Sequence, residues 1–335
     1  MSGMRPAPLV LGAAAASGLV LAKRRAAAAP DAWPVLSGRT VPVTADDGVA
    51  LHVEVHGDEQ AQGTVVLAHG YVLSNRLWDR QVEALLEARP DLRVVTYDQR
   101  GHGRSQRGER KRSTIEQLAH DLRAVLDATA PTGPVVLAGH SMGGMTLMAL
   151  AEQYPELLGP RVVGVGLVAT SSGDLDKLTL GFPEPVSARV RAGLPKSMAR
   201  AARWEDAGRR PLAMPFLKPV LFGAQPDPAD VRRTLRVIAG CSAHTFADFF
   251  ETFTLHARLD ALAAMASVPV MILIGTKDRL CPIAHSRTMA GALPHAALHV
   301  YPGAGHMLQL ERAAEVSARL VELASVVPAR HLTAV

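Results

Sequence analysis

Short, mostly apolar runs recur along this chain, separated by stretches with helical spacing, and this alternation restricts it to few folds. The runs are TVVLAHG (64–70), LRVVTYD (92–98), PVVLAGH (134–140), VVGVGLVAT (162–170), PVMILIG (269–275) and ALHVYPG (297–303). A run that is apolar at odd and even positions alike is covered on both faces, as parallel strands between two helix layers are. VALHVEVHG (49–57) alternates apolar with polar residues instead, which predicts a half-exposed antiparallel strand. Helical spacing over 77–88 and 115–128 fills two of the gaps. The expected class is α/β, a doubly wound, mostly parallel sheet with helices on both faces. A length of 335 residues fits one large unit of this kind carrying an insertion.

The alternation breaks once. From 172 to 256 there is no strand pattern, only helical segments punctuated by Pro and Gly. This predicts a helical cap inserted after strand 6, between a first core part (35–171) and a second (257–335). All seven phenylalanines fall in the insertion: Phe182, Phe216, Phe222, Phe246, Phe249, Phe250 and Phe253. The last four follow i, i+3, i+4, i+7 spacing and share one helix face. That face either joins the cap to the core or lines an apolar acyl pocket.

Residues 1–34 read as a hydrophobic segment and linker. PLVLGAAAASGLVLA (8–22) falls short of the roughly 20 residues that span a bilayer, and its densest charge, Lys23, Arg24 and Arg25, follows it. A cleaved signal carries its charge in front. Membrane contact through residues 8–25 is therefore the expectation, with a secreted or a cytoplasmic protein as the alternatives. The net charge of +5 is modest, and RSQRGERKR (104–112) has no interleaved aromatic residue on which bases could stack. The expected partner is a small molecule and not nucleic acid, and the basic run reads as a solvated loop. Cys241 and Cys281 form no metal-type spacing, and no phosphate loop or GxGxxG occurs, so no cofactor or metal is expected.

The chemistry concentrates in Gly139-His140-Ser141-Met142-Gly143. An apolar run precedes this G-x-S-x-G and a helical pattern follows, the strand–turn–helix setting of a nucleophile elbow. A serine needs a base, and the base an orienting acid, in the chain order Ser, Asp, His. Asp278 in GTKDRLCP follows one strand run, and His306 in GAGHM follows the last. The expected catalytic residues are Ser141, Asp278 and His306, and the expected oxyanion donors are the backbone N–H groups of Tyr71 and Met142. His69, His102 and His140 read as structural.

HGYVLSNRLWDRQ, YDQRGHGRS, GHSMGG, GTKDRLCP and GAGHM together resemble the α/β-hydrolase superfamily over residues 41–324. GHSMGG and GTKDRLCP are similar to its esterase and monoacylglycerol-lipase-like members. The resemblance implies an eight-stranded sheet, carboxylic-ester hydrolysis through an acyl-enzyme, and no cofactor. Members with an aspartate nucleophile are disfavoured by Ser141. Cofactor-free haloperoxidase-like (perhydrolase) members share the triad, and thioesterase and C–C bond hydrolase activities are further alternatives. A non-catalytic binding protein of this fold is disfavoured by the intact Ser141, Asp278 and His306 set.

Overall fold

The computed structural model describes residues 36, 38–175, 184–208 and 217–329. The apolar 8–25 segment, Phe182 and Phe216 lie outside the described residues. Among the described residues, no helix is long and apolar enough to cross a membrane.

The sheet has eight strands: β1 (Arg39–Thr44), β2 (Ala50–Gly57), β3 (Gly63–Ala68), β4 (Leu92–Tyr97), β5 (Val135–His140), β6 (Val162–Val168), β7 (Val270–Gly275) and β8 (Ala297–Tyr301). Their order is β1-β2-β4-β3-β5-β6-β7-β8. β2 is antiparallel to β1 and β4, and every later pairing is parallel. β3, β5 and β7 are buried along their whole length, as runs apolar at both parities require. β1, RTVPVT, is marked by no continuous apolar run in the sequence. It lies at the sheet edge, where Pro42 costs no ladder bond in the interior.

Expectations fail at two strands. β8, read as covered on both faces, is the far edge strand and leaves Ala297 and Val300 exposed. β2 departs the other way. Its polar face is not exposed: Glu54 and His56 are buried, because Arg76 donates to Glu54 at 2.7 Å and Arg104 also pairs with it. Charge pairing, which alternation does not report, covers that face.

On one side of the sheet lie α1 (Asp79–Ala88) and α11 (Ala313–Ala324), with Val82, Leu85, Val316 and Leu320 in a common core with Val65 and Leu67. On the other lie α2 (Ile115–Thr129), α3 (Met142–Gln153), α8 (Leu262–Met265) and α9 (Ile283–Ala292). Thr114 caps α2 by accepting the Gln117 N–H at 3.2 Å. The chain beyond His306 forms a short helix, α10 (Leu308–Glu311), before α11.

Between β6 and β7 run α4 (Glu184–Asp206), α5 (Lys218–Leu221), α6 (Pro228–Gly240) and α7 (Ala243–Leu255). Two reciprocal ion pairs tie α6 to α1: Arg80 grips both oxygens of Asp230 at 3.1 and 3.0 Å, and Arg233 donates to Asp79 at 2.9 Å. α7 lies against loops at the carboxyl ends of β3 and β4. There Phe246 and Phe253 pack on Tyr71, with ring centroids 5.1 and 4.9 Å apart, and Phe249 packs on His102 at 5.4 Å. Thr245 donates to the Gly101 carbonyl at 2.8 Å. These three phenylalanines therefore join insertion to core. The basic run is paired with acids: Arg107 donates to Asp248 at 2.8 Å, and Arg112 lies near Asp46 and Asp47.

Candidate active site

Ser141 stands between β5 and α3 with φ 53° and ψ −118°, a conformation that side-chain-bearing residues rarely adopt. Such strain costs on the order of 1–3 kcal/mol and persists only where the surroundings enforce it. Here the Ser141 N–H donates to the Val168 carbonyl at 2.9 Å, and Thr170 donates its hydroxyl to the Ser141 carbonyl at 2.7 Å. The flanking glycines are steric necessities: a Cβ at Gly139 would sit 2.4 Å from the Gly143 backbone, and one at Gly143 only 2.2 Å from the Ala68 carbonyl oxygen. The turn thus lifts the Ser141 side chain out at the carboxyl edge of the sheet, partly accessible, while Met142 behind it is fully buried.

Asp278 follows β7 and His306 follows β8. The His306 Nδ1–H donates to Asp278 Oδ2 at 2.9 Å, and both side chains are buried. Asp278 Oδ1 accepts the N–H groups of Leu280 and Cys281, each at 2.8 Å, so one carboxylate oxygen is fixed by backbone and the other is presented to the imidazole. His140, the residue before Ser141, donates from Nε2 to the His306 carbonyl at 2.9 Å, and the two rings lie 4.8 Å apart. The structure thereby brings the loops of all three expected residues together.

The turn after β3 closes over Ser141. A Cβ at Gly70 would stand 3.2 Å from Ser141 Cβ, so this backbone needs glycine to come so near. His69 sets the turn: its Nδ1–H donates to the Gly70 carbonyl at 2.7 Å and its Nε2 accepts the Gln99 N–H at 2.9 Å. Burial pushes its pKa down to about 4, so it is a neutral structural element. His102 donates from Nδ1 to the Arg100 carbonyl at 2.9 Å and is likewise held neutral by burial, at about 3. Burial also holds the His140 pKa well below the usual histidine range. No acceptor among the described residues takes up the N–H of Tyr71 or Met142. Tyr71 spends its hydroxyl elsewhere, on the Phe246 carbonyl of α7.

Sequence reasoning missed the residues that hold the base loop from outside. The Ala224 N–H donates to the Gly303 carbonyl at 3.1 Å, and the Met307 N–H to the Leu221 carbonyl at 3.0 Å. These backbone contacts leave no periodicity or motif to find. An apolar groove between α1 and α11, lined by Ala84, Ala88, Ala314, Ala318 and Val321, holds one serine, Ser317, and no base. Among the described residues no cluster of His, Cys, Asp and Glu is arranged to hold a metal.

This arrangement has a family match. The model of the α/β-hydrolase fold family matches residues 63–313. The chain belongs to the α/β-hydrolase family. It is similar to a Variovorax paradoxus protein provisionally named carbamate hydrolase RutD, 31% identical over 81% of this chain and 95% of the relative. It is also similar to a monoacylglycerol lipase of Mycolicibacterium smegmatis, 27% identical over 74% of this chain and 82% of that one. Among solved structures, a thermophilic esterase from Thermogutta terrifontis superposes with a TM-score of 0.69 at 25% identity, covering 87% of this chain and 100% of the esterase. This α/β hydrolase therefore shares its fold with an esterase.

Proposed function

We propose that this hydrolase is a serine esterase acting on apolar carboxylic esters, with Ser141 as nucleophile, His306 as base and Asp278 as the acid that orients the base. The observation that carries this reading is the 2.9 Å hydrogen bond from His306 Nδ1 to Asp278, made on loops packed against the strained Ser141 turn. With Nδ1–H committed to Asp278, the lone pair of His306 is on Nε2, the tautomer a general base needs. His306 takes the Ser141 hydroxyl proton as Oγ attacks the ester carbonyl carbon. The N–H groups of Tyr71 and Met142 donate to the oxyanion, the latter at the positive end of α3. The tetrahedral intermediate expels the alcohol, protonated by His306, and leaves acyl-Ser141. Water that gives its proton to His306 then attacks the acyl carbon, and Ser141 recovers its proton as the acid departs.

An apolar substrate is supported by Phe246 and Phe253, only half-buried where they flank Tyr71, the proposed donor. In this reading the 172–256 insertion caps the site. A carbamate substrate is the second reading, favoured by the 31% identity to the carbamate hydrolase-named relative. The test is turnover of p-nitrophenyl esters from acetate to palmitate, beside a p-nitrophenyl carbamate, by the native protein and Ser141→Ala. Ester turnover lost in the variant supports the proposal. Preference for the carbamate moves it to the second reading, and no turnover of either refutes both.

A further inference from the structure

Besides the Ala224–Gly303 and Met307–Leu221 backbone bonds, one carboxylate bridges the loop that carries His306 to the insertion. Glu311, at the end of α10, accepts the Gly305 N–H on Oε1 at 2.9 Å and the Gly223 N–H on Oε2 at 2.8 Å. Gly305 directly precedes His306, and Gly223 lies just beyond α5 in the insertion. The two strips of backbone touch without side chains between them: a Cβ at Gly223 would lie 2.0 Å from the Gly303 carbonyl oxygen, and one at Gly305 2.5 Å from the Gly223 nitrogen. Both partners of Glu311 are donors, so only a carboxylate, which offers two acceptors and no N–H, satisfies them together. An amide would turn its own N–H groups against one of the two. Burial pushes the Glu311 carboxyl pKa up, yet the two N–H bonds favour its charged form.

We propose that Glu311 is a positioning residue for the base: by bridging Gly305 and Gly223 it locks the His306 loop to the 221–224 segment, so that seating of the insertion and placement of the imidazole are a single event. The proposal rests on the reading of His306 as base. Glu311 touches no reacting atom and acts through the main chain before His306. Its loss costs turnover by misplacing the imidazole, and a displacement of about 1 Å is enough for a 10²-fold effect.

The experiment compares native enzyme, Glu311→Gln and Ser141→Ala, with circular dichroism reporting the fold of each. Fluorophosphonate labelling run to completion counts active sites in the native enzyme and Glu311→Gln, so that misfolded protein is not scored as slow enzyme. The expected result for Glu311→Gln is kcat lowered about 10²-fold with KM within about twofold, the split of a lost transition-state arrangement. The downfield proton resonance of His306 Nδ1–H, which needs no turnover to observe, is expected to shift or broaden in Glu311→Gln. Native kcat per active site with an unchanged Nδ1–H resonance overturns the proposal. If Glu311→Gln does not fold, amide hydrogen exchange of the native protein decides: protection of both Gly305 and Gly223 supports the bridge, and rapid exchange at either overturns it. Turnover that survives in Ser141→Ala defeats the serine reading itself. A dead Ser141→Ala beside an unaffected Glu311→Gln defeats only the positioning role.

Discussion

His140 donates from Nε2 to the main-chain carbonyl of His306 at 2.9 Å, so the residue before Ser141 holds the loop that bears the imidazole. The elbow and the base loop are thereby one unit, and the side chain between Gly139 and Ser141 has a defined task. Replacing His140 by Phe keeps a ring in the space and strands a buried carbonyl, which costs about 1–3 kcal/mol. The expected outcome is a lower denaturation midpoint, with kcat falling more than KM rises. Urea titration and steady-state kinetics check it, and unchanged kcat would show that the carbonyl tie does not place the base.

Asp278→Asn is expected to lower kcat by about 10⁴ while leaving the fold intact, as the equivalent change does in a serine-protease triad. The reason is local. Oδ1 accepts two backbone N–H groups, so the asparagine oxygen stays there and its amide group faces His306. The imidazole must then accept at Nδ1 and carry its proton on Nε2, where it cannot take one from Ser141. Circular dichroism with urea titration separates this from unfolding.

Phe249 is 1% exposed and packs on His102 where α7 meets the core. Phe249→Ala is expected to destabilise the protein by about 3–5 kcal/mol, the usual cost of emptying a fully buried aromatic site. Thermal and chemical denaturation test it. A loss under 1 kcal/mol would mean that α7 is not anchored there.

His256, just after α7, donates from Nε2 to the Ser171 carbonyl at 2.9 Å and accepts from Arg258 at 3.0 Å. Burial lowers its pKa from 6.5 to about 4. Between those values the unfolded chain takes up a proton that the fold refuses, so its contribution to stability falls as the pH falls from 6.5 to 4. Several buried carboxylates, such as Asp79 with its pKa raised to about 6, drive the opposite trend, so the total slope is not diagnostic. The difference is. The stability of the native protein minus that of His256→Gln should shrink by about 1.4 kcal/mol per pH unit over this window. Denaturant titration at pH 7, 6 and 5 measures it, and a constant difference would contradict a neutral buried His256.

The parallel sheet was legible because strands such as VVLAGH must be apolar at both parities, and the elbow because glycines flank a serine between a strand and a helix. Asp278 and His306 were legible by their places after the strands that became β7 and β8. Features set by distant partners were not. The polar face of β2 reads as exposed until Arg76 and Arg104 fold over Glu54. β1 is too short, and too interrupted by Pro42, to stand out. Glu311 meets Gly223 across 88 residues through backbone N–H groups, which no side-chain pattern records.

Activation of Ser141 as a nucleophile by His306 and Asp278 is read out most directly by intact-mass analysis after fluorophosphonate treatment. One adduct per native chain is expected, with loss of fluoride, mapped to Ser141 by peptide sequencing, absent from Ser141→Ala and greatly slowed in Asp278→Asn. An unlabelled native chain, or an adduct that persists in Ser141→Ala, would contradict it.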